Sequence, residues 1–245
     1  MRAQVEYAEM MNACVKRLVL RTFEPMMFRA GQWVDFIVPE LGLSGYSICN
    51  EEPQDDQIFS GSHIELAIQK TSCKISQWVH SEDCKVGSEV EVKLGGDCVL
   101  DFDLIRDQGV VFIAGGMGIN PLFSMLRTMF GKKVLPRRVC FLHSAKTMDD
   151  LLFSESIAEI QKAWHDKDCF TYERFVSRSL GESPTHHSGR ITKTDLENAF
   201  QFVSKGAKHI TLYLCGPSPM INEIIQWAEE FKTRYEIRVQ FEKWW

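Results

Sequence analysis

The sequence predicts a two-domain protein, with an N-terminal antiparallel six-stranded β-barrel followed by an α/β domain built on a five-stranded parallel sheet. Up to residue 107, short strand patterns alternate with turn residues, which is typical of a small barrel. From residue 108 onward, apolar strands alternate with helical segments, which is typical of a parallel sheet covered by helices. A chain of 245 residues has room for two such domains. We therefore predict domains at residues 1–107 and 108–245.

The first half contains segments in which polar and apolar residues alternate or β-branched residues are enriched. The predicted strands are Ala13–Leu20, Trp33–Val38, Ile64–Gln69 and Glu89–Leu94. One short helix is predicted at Lys74–His80. Glycines and prolines between these segments supply the turns that an antiparallel barrel needs.

The second half alternates between strand and helix patterns. The predicted strands are VVFIA, RRVCFLHS, FTYERFVS, HITLYLC and YEIRVQF, in chain order. The predicted helices lie near residues 120–130, 149–164, 194–203 and 218–231. Helix-start signals support them: Pro121 in a first turn, a capping box from Thr194 to Glu197, and Ser218 before Pro219. Ligands of such sheets bind at the carboxyl ends of the strands.

Composition and charge narrow the classes of function. Apolar residues make up 44% and charged residues 25% of the chain, so a sizeable core can be buried. The formal net charge of −5 argues against nucleic acid as a partner, because nucleic-acid-binding proteins need basic patches. No run of about 18 apolar residues occurs, so no membrane span is predicted. The start of the chain shows no targeting pattern.

The eight cysteines are scattered along the chain, without a C-x-x-C pair or a histidine at metal-ligand spacing. Because a chain of this length has its own core, it does not need a disulfide framework. We therefore predict free thiols, a reducing intracellular compartment and no metal site. The adjacent histidines His186 and His187 are interpreted as part of a solvated loop.

A glycine-rich turn follows the first strand of the predicted parallel sheet. In VVFIAGGMGINP, three glycines stand where the strand gives way to a helix. Gly115 and Gly116 permit a sharp turn, and Gly118 permits the helix and a pyrophosphate to come close. Backbone N–H groups at such a helix N-terminus attract an anion. The turn therefore predicts a nucleotide site, and a plain packing turn is the alternative.

Five motifs in order resemble the ferredoxin–NADP reductase superfamily over nearly the whole chain. They are AGQWVDFIVP, GYSI, GGMGINP, LCGPSPMI and the ending FEKWW. The resemblance implies a flavin-binding barrel and a nicotinamide-nucleotide-binding sheet, with FAD and NAD(H) or NADP(H) as cofactors. It also leaves a mitochondrial location open.

The resemblance assigns flavin-binding roles in the barrel. Tyr46 is expected to pack against the isoalloxazine ring, and the hydroxyl of Ser47 is expected to approach flavin N5. Two positions depart from the family pattern: Ser44 replaces an arginine that holds the pyrophosphate, and Cys73 replaces a glycine before the phosphate-binding serine, Ser76. The predicted flavin-binding residues are Tyr46, Ser47, Lys70 and Ser76.

The resemblance also assigns residues of the nucleotide site. Cys215 is expected beside nicotinamide C4, and a buried structural thiol is the alternative. Ser177 and Arg178 follow the third strand of the sheet, where NADP-using relatives hold the 2′-phosphate, although Arg178 in a solvated loop is the alternative. The predicted NAD(P)-binding residues are Gly115, Gly116, Met117, Gly118, Ile119, Asn120, Pro121, Ser144, Ser177, Arg178, Cys215, Gly216 and Pro217. We predict NAD(H) as coenzyme, with NADP(H) also accepted.

The function predicted from these residues is hydride transfer from nicotinamide to FAD, followed by electron transfer to an acceptor. Glu242 and Trp244 match the spacing of a carboxylate and a terminal aromatic in photosynthetic relatives, and simple packing of the strand end is the alternative. The predicted catalytic residues are Ser47, Cys215, Glu242 and Trp244. No iron–sulfur cysteine pattern occurs, so the acceptor is an unidentified separate protein or small molecule. The alternative function is a pseudo-enzyme that lost its flavin and senses nucleotide or binds a partner.

Overall fold

The computed structural model describes residues 1–53, 62–164, 167–179, 181 and 183–244. The chain forms two compact units, each described by itself below. The first unit comprises Met1–Leu100 and Phe123–Thr128, and the second comprises Asp101–Leu122 and Met129–Trp245.

The first unit is an antiparallel sheet of six strands. They are β1 (Arg2–Met10), β2 (Val15–Thr22), β3 (Trp33–Val38), β4 (Gly42–Ser47), β5 (His63–Gln69) and β6 (Glu89–Gly95). The strand order is β4-β3-β6-β1-β2-β5. The two end strands meet because an antiparallel bridge joins Ile48 to Leu66, so the sheet closes into a barrel. The predicted six-stranded antiparallel barrel is confirmed.

Alternate side chains of the barrel strands fill its interior, because successive side chains of a strand face opposite sides of the sheet. Val34 and Phe36 of β3 are fully buried, whereas Trp33, Asp35 and Ile37, which face the other side, are only partly buried. The short helix α1 (Lys74–Val79) packs Ile75 and Val79 onto the same core. The predicted helix Lys74–His80 therefore ends one residue earlier than expected.

The second unit is a parallel sheet flanked by helices. Its elements are α2 (Phe102–Ile105), β7 (Gly109–Gly115), α3 (Ile119–Lys132), β8 (Arg138–Ala145), α4 (Ser154–Ala163), β9 (Phe170–Val176), β10 (His187–Ser188), α5 (Lys193–Val203), β11 (His209–Pro217), α6 (Ser218–Phe231) and β12 (Glu236–Trp244). The strand order is β10-β9-β8-β7-β11-β12. The sheet thus has six strands rather than the predicted five. The additional strand, β10, has only two residues, which is too short for any sequence pattern.

The first strand of the parallel sheet is entirely apolar and lies at its centre. Every residue of β7 is buried, as expected for a strand covered on both faces. The ring of Phe112 lies between those of Phe141, at 5.3 Å, and Tyr213, at 5.5 Å. Phe200 of α5 and Ile224 of α6 are buried in the same hydrophobic core as Val111 of β7. No helix in the described part of the chain is both long and apolar enough to cross a membrane.

One predicted helix start is wrong in detail. The capping box of α5 is formed by Thr192 and Asp195, not by Thr194 and Glu197. The N–H of Thr192 donates to Asp195 Oδ2 at 2.8 Å, and the N–H of Asp195 donates to Thr192 Oγ1 at 3.3 Å. Both threonines are followed by an acid three residues later, and the usual preference for glutamate in this motif favoured the wrong pair.

His143 is a buried polar residue in the aromatic layer of the second unit. Its side chain is fully buried on β8, and its Nδ1 lies 3.1 Å from the Tyr172 hydroxyl. Burial, together with the nearby charge of Arg174, lowers the pKa of His143 to about 3. The imidazole is therefore neutral in the folded protein at neutral pH.

Because this pKa is lower in the folded protein than in the unfolded chain, His143 is expected to make stability fall as the pH decreases from about 6.5 toward 3. At pH 5 the loss is expected to be about 2 kcal/mol relative to pH 7. Urea unfolding at both pH values should show this loss in the wild type and its removal in His143→Phe. An equal loss in His143→Phe would contradict the assignment.

Candidate functional site

The carboxyl ends of β7, β8, β9 and β11 meet at one edge of the parallel sheet, where ligands bind in such folds. Gly115 at the end of β7 lies opposite Ser144 of β8. Ala114, one residue earlier, lies opposite Cys215 of β11. Ser177 follows the end of β9, where its N–H donates to the carbonyl of Ala145 at 3.0 Å. The sheet therefore brings together residues that lie far apart in the sequence.

The three glycines of the turn after β7 are required for different physical reasons. A Cβ on Gly115 would lie 2.7 Å from the sulfur of Met220, and a Cβ on Gly118 would lie 2.2 Å from the carbonyl oxygen of Cys215. Gly116 is different, because it has a φ of +53° and a Cβ there would meet nothing within 4 Å. Gly115 and Gly118 therefore permit close packing. Gly116 permits a left-handed turn that leaves open space above it.

A 3₁₀ turn, Gly116–Gly118, leads directly into α3, and the N–H of Ile119 donates to the carbonyl of Gly116 within it. The N-cap residue of this turn is Gly115, which has no side chain to bond to the first N–H groups. Pro121 occupies the first turn, where a missing N–H costs nothing. Of the other predicted residues here, Met117 is half-buried, whereas Ile119, Asn120 and Pro121 are buried. The amides of the Gly116–Gly118 turn and the positive dipole end of α3 therefore favour a phosphate group here.

A pocket of about 320 Å³ lies at this edge of the sheet. That volume is within the range that binds small molecules in proteins. Five predicted residues line it: Gly115, Gly116, Ser144, Ser177 and Pro217. The glycine turn, two hydroxyl groups and the start of α6 thus surround one cavity.

The predicted Arg178 does not line this pocket. Its side chain is exposed, and its backbone N–H donates to the carbonyl of Lys146 at 3.0 Å. The cations that line the pocket are Lys146 and Arg190, and both were missed from the sequence. The signal for Arg190 was its position after the third strand and a glycine, twelve residues beyond Arg178. The role predicted for Arg178 stays a prediction.

Cys215 and Glu242 lie beside each other on neighbouring strands. They are paired in the register of β11 and β12, and Cys215 is buried. Gly216 and Pro217 follow Cys215 and lead directly into α6. The backbone of Trp244 pairs with Pro217, but its side chain lies outside the described part of the structure. The catalytic role of Trp244 therefore stays a prediction.

In the barrel, Tyr46 presents a buried polar atom that fits a flavin. Its ring meets Phe36 edge-on at 6.0 Å, and its buried Oη interacts with the side chains of Ser44 and Cys73 without forming a hydrogen bond of normal geometry. Burial raises the pKa of Tyr46 to about 12. Ser47, the next residue, is buried at the end of β4. A buried hydroxyl without a well-formed protein hydrogen bond is suited to a ligand that supplies one.

The barrel residues that were predicted to bind the flavin phosphate are less available to a ligand than Tyr46. The hydroxyl of Ser76 is buried, accepts the N–H of Thr71 at 3.0 Å and lies 3.0 Å from the Cys73 carbonyl, to which it donates. Lys70 is exposed. Partial burial acts to raise the pKa of Cys73, but the neighbouring N–H groups of Ser76 and Ile75 outweigh it and lower the pKa. Contacts of Ser76 and Lys70 with a flavin phosphate stay predictions.

Comparison with known proteins identifies the family. A family model described as the oxidoreductase NAD-binding domain matches residues 112–226. The chain is 34% identical over 251 residues to oxidoreductase NAD-binding domain-containing protein 1 of Xenopus tropicalis, covering 96% of this chain and 76% of that protein. The chain belongs to this family. The GGMGIN turn and the FEKWW ending, which resemble the same family, agree with the assignment.

More distant similarity is found to proteins named as reductases. The chain is 25% identical over 240 residues to the reductase component of propane 2-monooxygenase from Gordonia sp. (strain TY-5), covering 95% of this chain and 64% of that protein. A ferredoxin NADP⁺ reductase from Neisseria gonorrhoeae, solved with bound FAD and NADP, matches with a TM-score of 0.75 and 16% identity, covering 98% of both chains. That identity shows the fold alone. The predicted ferredoxin–NADP reductase fold is confirmed.

Proposed function

We propose that this protein is a flavin-dependent NAD(P)H oxidoreductase that transfers a hydride from nicotinamide to FAD and then electrons to an unidentified acceptor. The observation that carries the proposal is the glycine turn, where Gly116 leaves open space before the uncapped start of α3. The buried Oη of Tyr46, which lacks a well-formed hydrogen bond to the protein, supports flavin binding in the barrel. The reductase relatives do not favour the pseudo-enzyme alternative.

In this proposal, the second unit binds and orients the nucleotide. The N–H groups of the Gly116–Gly118 turn would hold the pyrophosphate, because no side chain competes at Gly116. Cys215 shapes the slot for the nicotinamide ring, and Glu242 places a carboxylate beside it. Hydride transfer needs little acid–base chemistry, so these residues act by positioning the reacting carbon.

The barrel residues hold the flavin, which when bound supplies the acceptor for the hydride. Tyr46 offers its ring to the isoalloxazine and its hydroxyl to a polar group of the cofactor. Ser47 donates a hydrogen bond near N5. The Ser44 and Cys73 positions lack the family's phosphate contacts, so flavin affinity is expected to be lower than in relatives that keep them.

The colour of the purified protein tests the proposed function. We expect a yellow protein from which FAD can be extracted, and we expect its flavin absorbance to bleach anaerobically on addition of NADH or NADPH. Protein purified without flavin should regain colour when titrated with FAD. A protein that stays colourless after FAD titration, or a bound flavin that neither coenzyme reduces, would overturn the proposal.

Arginine substitutions test how the coenzyme is selected. Arg190 lines the pocket, so Arg190→Ala is expected to lower kcat/KM for NADPH. The fall should correspond to about 1–3 kcal/mol of lost transition-state stabilisation, which is typical of a lost charge-assisted hydrogen bond. NADH use should barely change. Arg178→Ala is the comparison, and a selective loss of NADPH use there would support the role predicted for Arg178. Equal losses for both coenzymes would show that the substituted arginine does not contact the 2′-phosphate.

A further inference from the structure

One wall of the pocket at the strand edge is a single face of α6. Met220, Glu223, Ile224 and Trp227 all line the pocket and recur at helical spacing. Met220 lies against the glycine turn, since its sulfur would be 2.7 Å from a Cβ on Gly115. Glu223 follows about 4.5 Å further along the helix axis, and Trp227 about 10.5 Å further. The face therefore runs from the phosphate-binding turn to an aromatic residue, with a carboxylate between them.

This order matches the order of groups in an adenosine diphosphate. If the pyrophosphate lies at the glycine turn and the base contacts the indole of Trp227, the ribose between them lies beside Glu223. Glu223 is exposed, and no described residue forms a hydrogen bond or ion pair with its carboxylate. The same holds for the side chains of Lys146 and Arg190, which line the same pocket. Within the described structure, these three charges therefore do not neutralise one another.

We propose that Glu223 accepts hydrogen bonds from the adenosine ribose hydroxyls and thereby makes the site prefer NAD(H) to NADP(H). The proposal rests on the proposed function, because it requires a nicotinamide nucleotide in this pocket. An ionised carboxylate only accepts hydrogen bonds, so it pairs with the 2′- and 3′-hydroxyls. A 2′-phosphate removes one donor and adds negative charge beside Glu223. Lys146 and Arg190 favour that phosphate, so Glu223 opposes them in setting the preference.

Calorimetric titration with ADP-ribose and with 2′-phospho-ADP-ribose tests this role without a flavin or a reaction. We expect the wild-type full chain to bind ADP-ribose more tightly than its 2′-phosphate. Glu223→Gln should weaken ADP-ribose and strengthen the 2′-phosphate, so that the ratio of the two affinities shifts by roughly tenfold or more. Because Glu223 is exposed, the variant is expected to melt at the wild-type temperature.

Glu229→Gln is the matched control for net charge. Glu229 lies on the same helix but outside the pocket lining, where it pairs with Lys232 at 2.6 Å. Its substitution should leave the affinity ratio unchanged. An unchanged ratio in Glu223→Gln, or an equal shift in Glu229→Gln, would overturn the role of Glu223 and leave the proposed function standing. Failure of the wild type to bind either probe would overturn both proposals.

Discussion

Gly118→Val is expected to destabilise the second unit by roughly 3 kcal/mol, an amount at the upper end for overpacking. A Cβ at this position would lie 2.2 Å from the carbonyl oxygen and 2.4 Å from the carbonyl carbon of Cys215. Both are backbone atoms of β11, a strand paired on both sides, so neither can move without disturbing the sheet. Chemical unfolding of the variant should show the loss directly.

Gly116→Val, two residues earlier, is expected to cost less stability but to weaken nucleotide binding strongly. Nothing lies within 4 Å of a Cβ at Gly116, so the fold should survive with only the cost of a branched residue at φ +53°, about 1–2 kcal/mol. The added side chain would fill the space above α3 that a pyrophosphate needs. Calorimetric titration with ADP-ribose should therefore show that binding is lost or greatly weakened.

Gly206→Val separates backbone strain from loss of the binding space. Gly206 has a φ of +84° in the same unit, and a Cβ there would contact only the Arg137 side chain, at 3.6 Å. The Gly206→Val variant should therefore have a similar backbone strain to Gly116→Val but bind ADP-ribose with the wild-type affinity. Wild-type affinity in Gly116→Val would show that the glycine turn is a packing device, which was the alternative that the sequence left open.

The elements predicted well are those whose pattern is local. The limits of β3 at Trp33 and Val38 were predicted correctly, because the segment is rich in β-branched and aromatic residues and a proline follows it. β1 was missed because a register shift between Val5 and Tyr7 interrupts its alternation. β4 was missed because GLSGYS contains two glycines and few strand-forming residues, and its pairing with β3 provides what the local pattern lacks.

The same distinction applies to the site. The glycine turn and the Cys215-Gly216-Pro217 segment could be found because each motif is contiguous in the sequence. Lys146, Arg190, Glu223 and Trp227 come from three different places in the chain, and only the strand order brings them to one pocket. The helical spacing that includes Glu223 and Trp227 is also the ordinary spacing of a core-facing stripe. Nothing in the sequence alone distinguishes those two uses.

Cys215→Ala is expected to slow reduction of the bound flavin by NAD(P)H by roughly 10- to 100-fold, while nucleotide affinity changes little. The thiol is buried beside Glu242 at the end of β11, so in the proposed mechanism its loss leaves the nicotinamide ring less well positioned. Misplacement of a reacting carbon by about 1 Å can cost about 100-fold in rate. Binding energy, in contrast, comes mainly from the adenosine diphosphate half of the coenzyme in this proposal. Stopped-flow reduction and calorimetric titration measure the two effects separately.

Cys140→Ala is the matched control for the cavity that the substitution creates. Cys140 is also a buried thiol in the parallel sheet, but it lies in the middle of β8 and belongs to the apolar core on the α5 and α6 side. Both variants should lose a similar amount of stability, because each removes one buried sulfur. Only Cys215→Ala should slow flavin reduction, because only Cys215 stands where a strand ends at the nucleotide edge. Reduction at the wild-type rate in Cys215→Ala, or an equal slowing in Cys140→Ala, would remove Cys215 from the catalytic site and leave it a structural thiol.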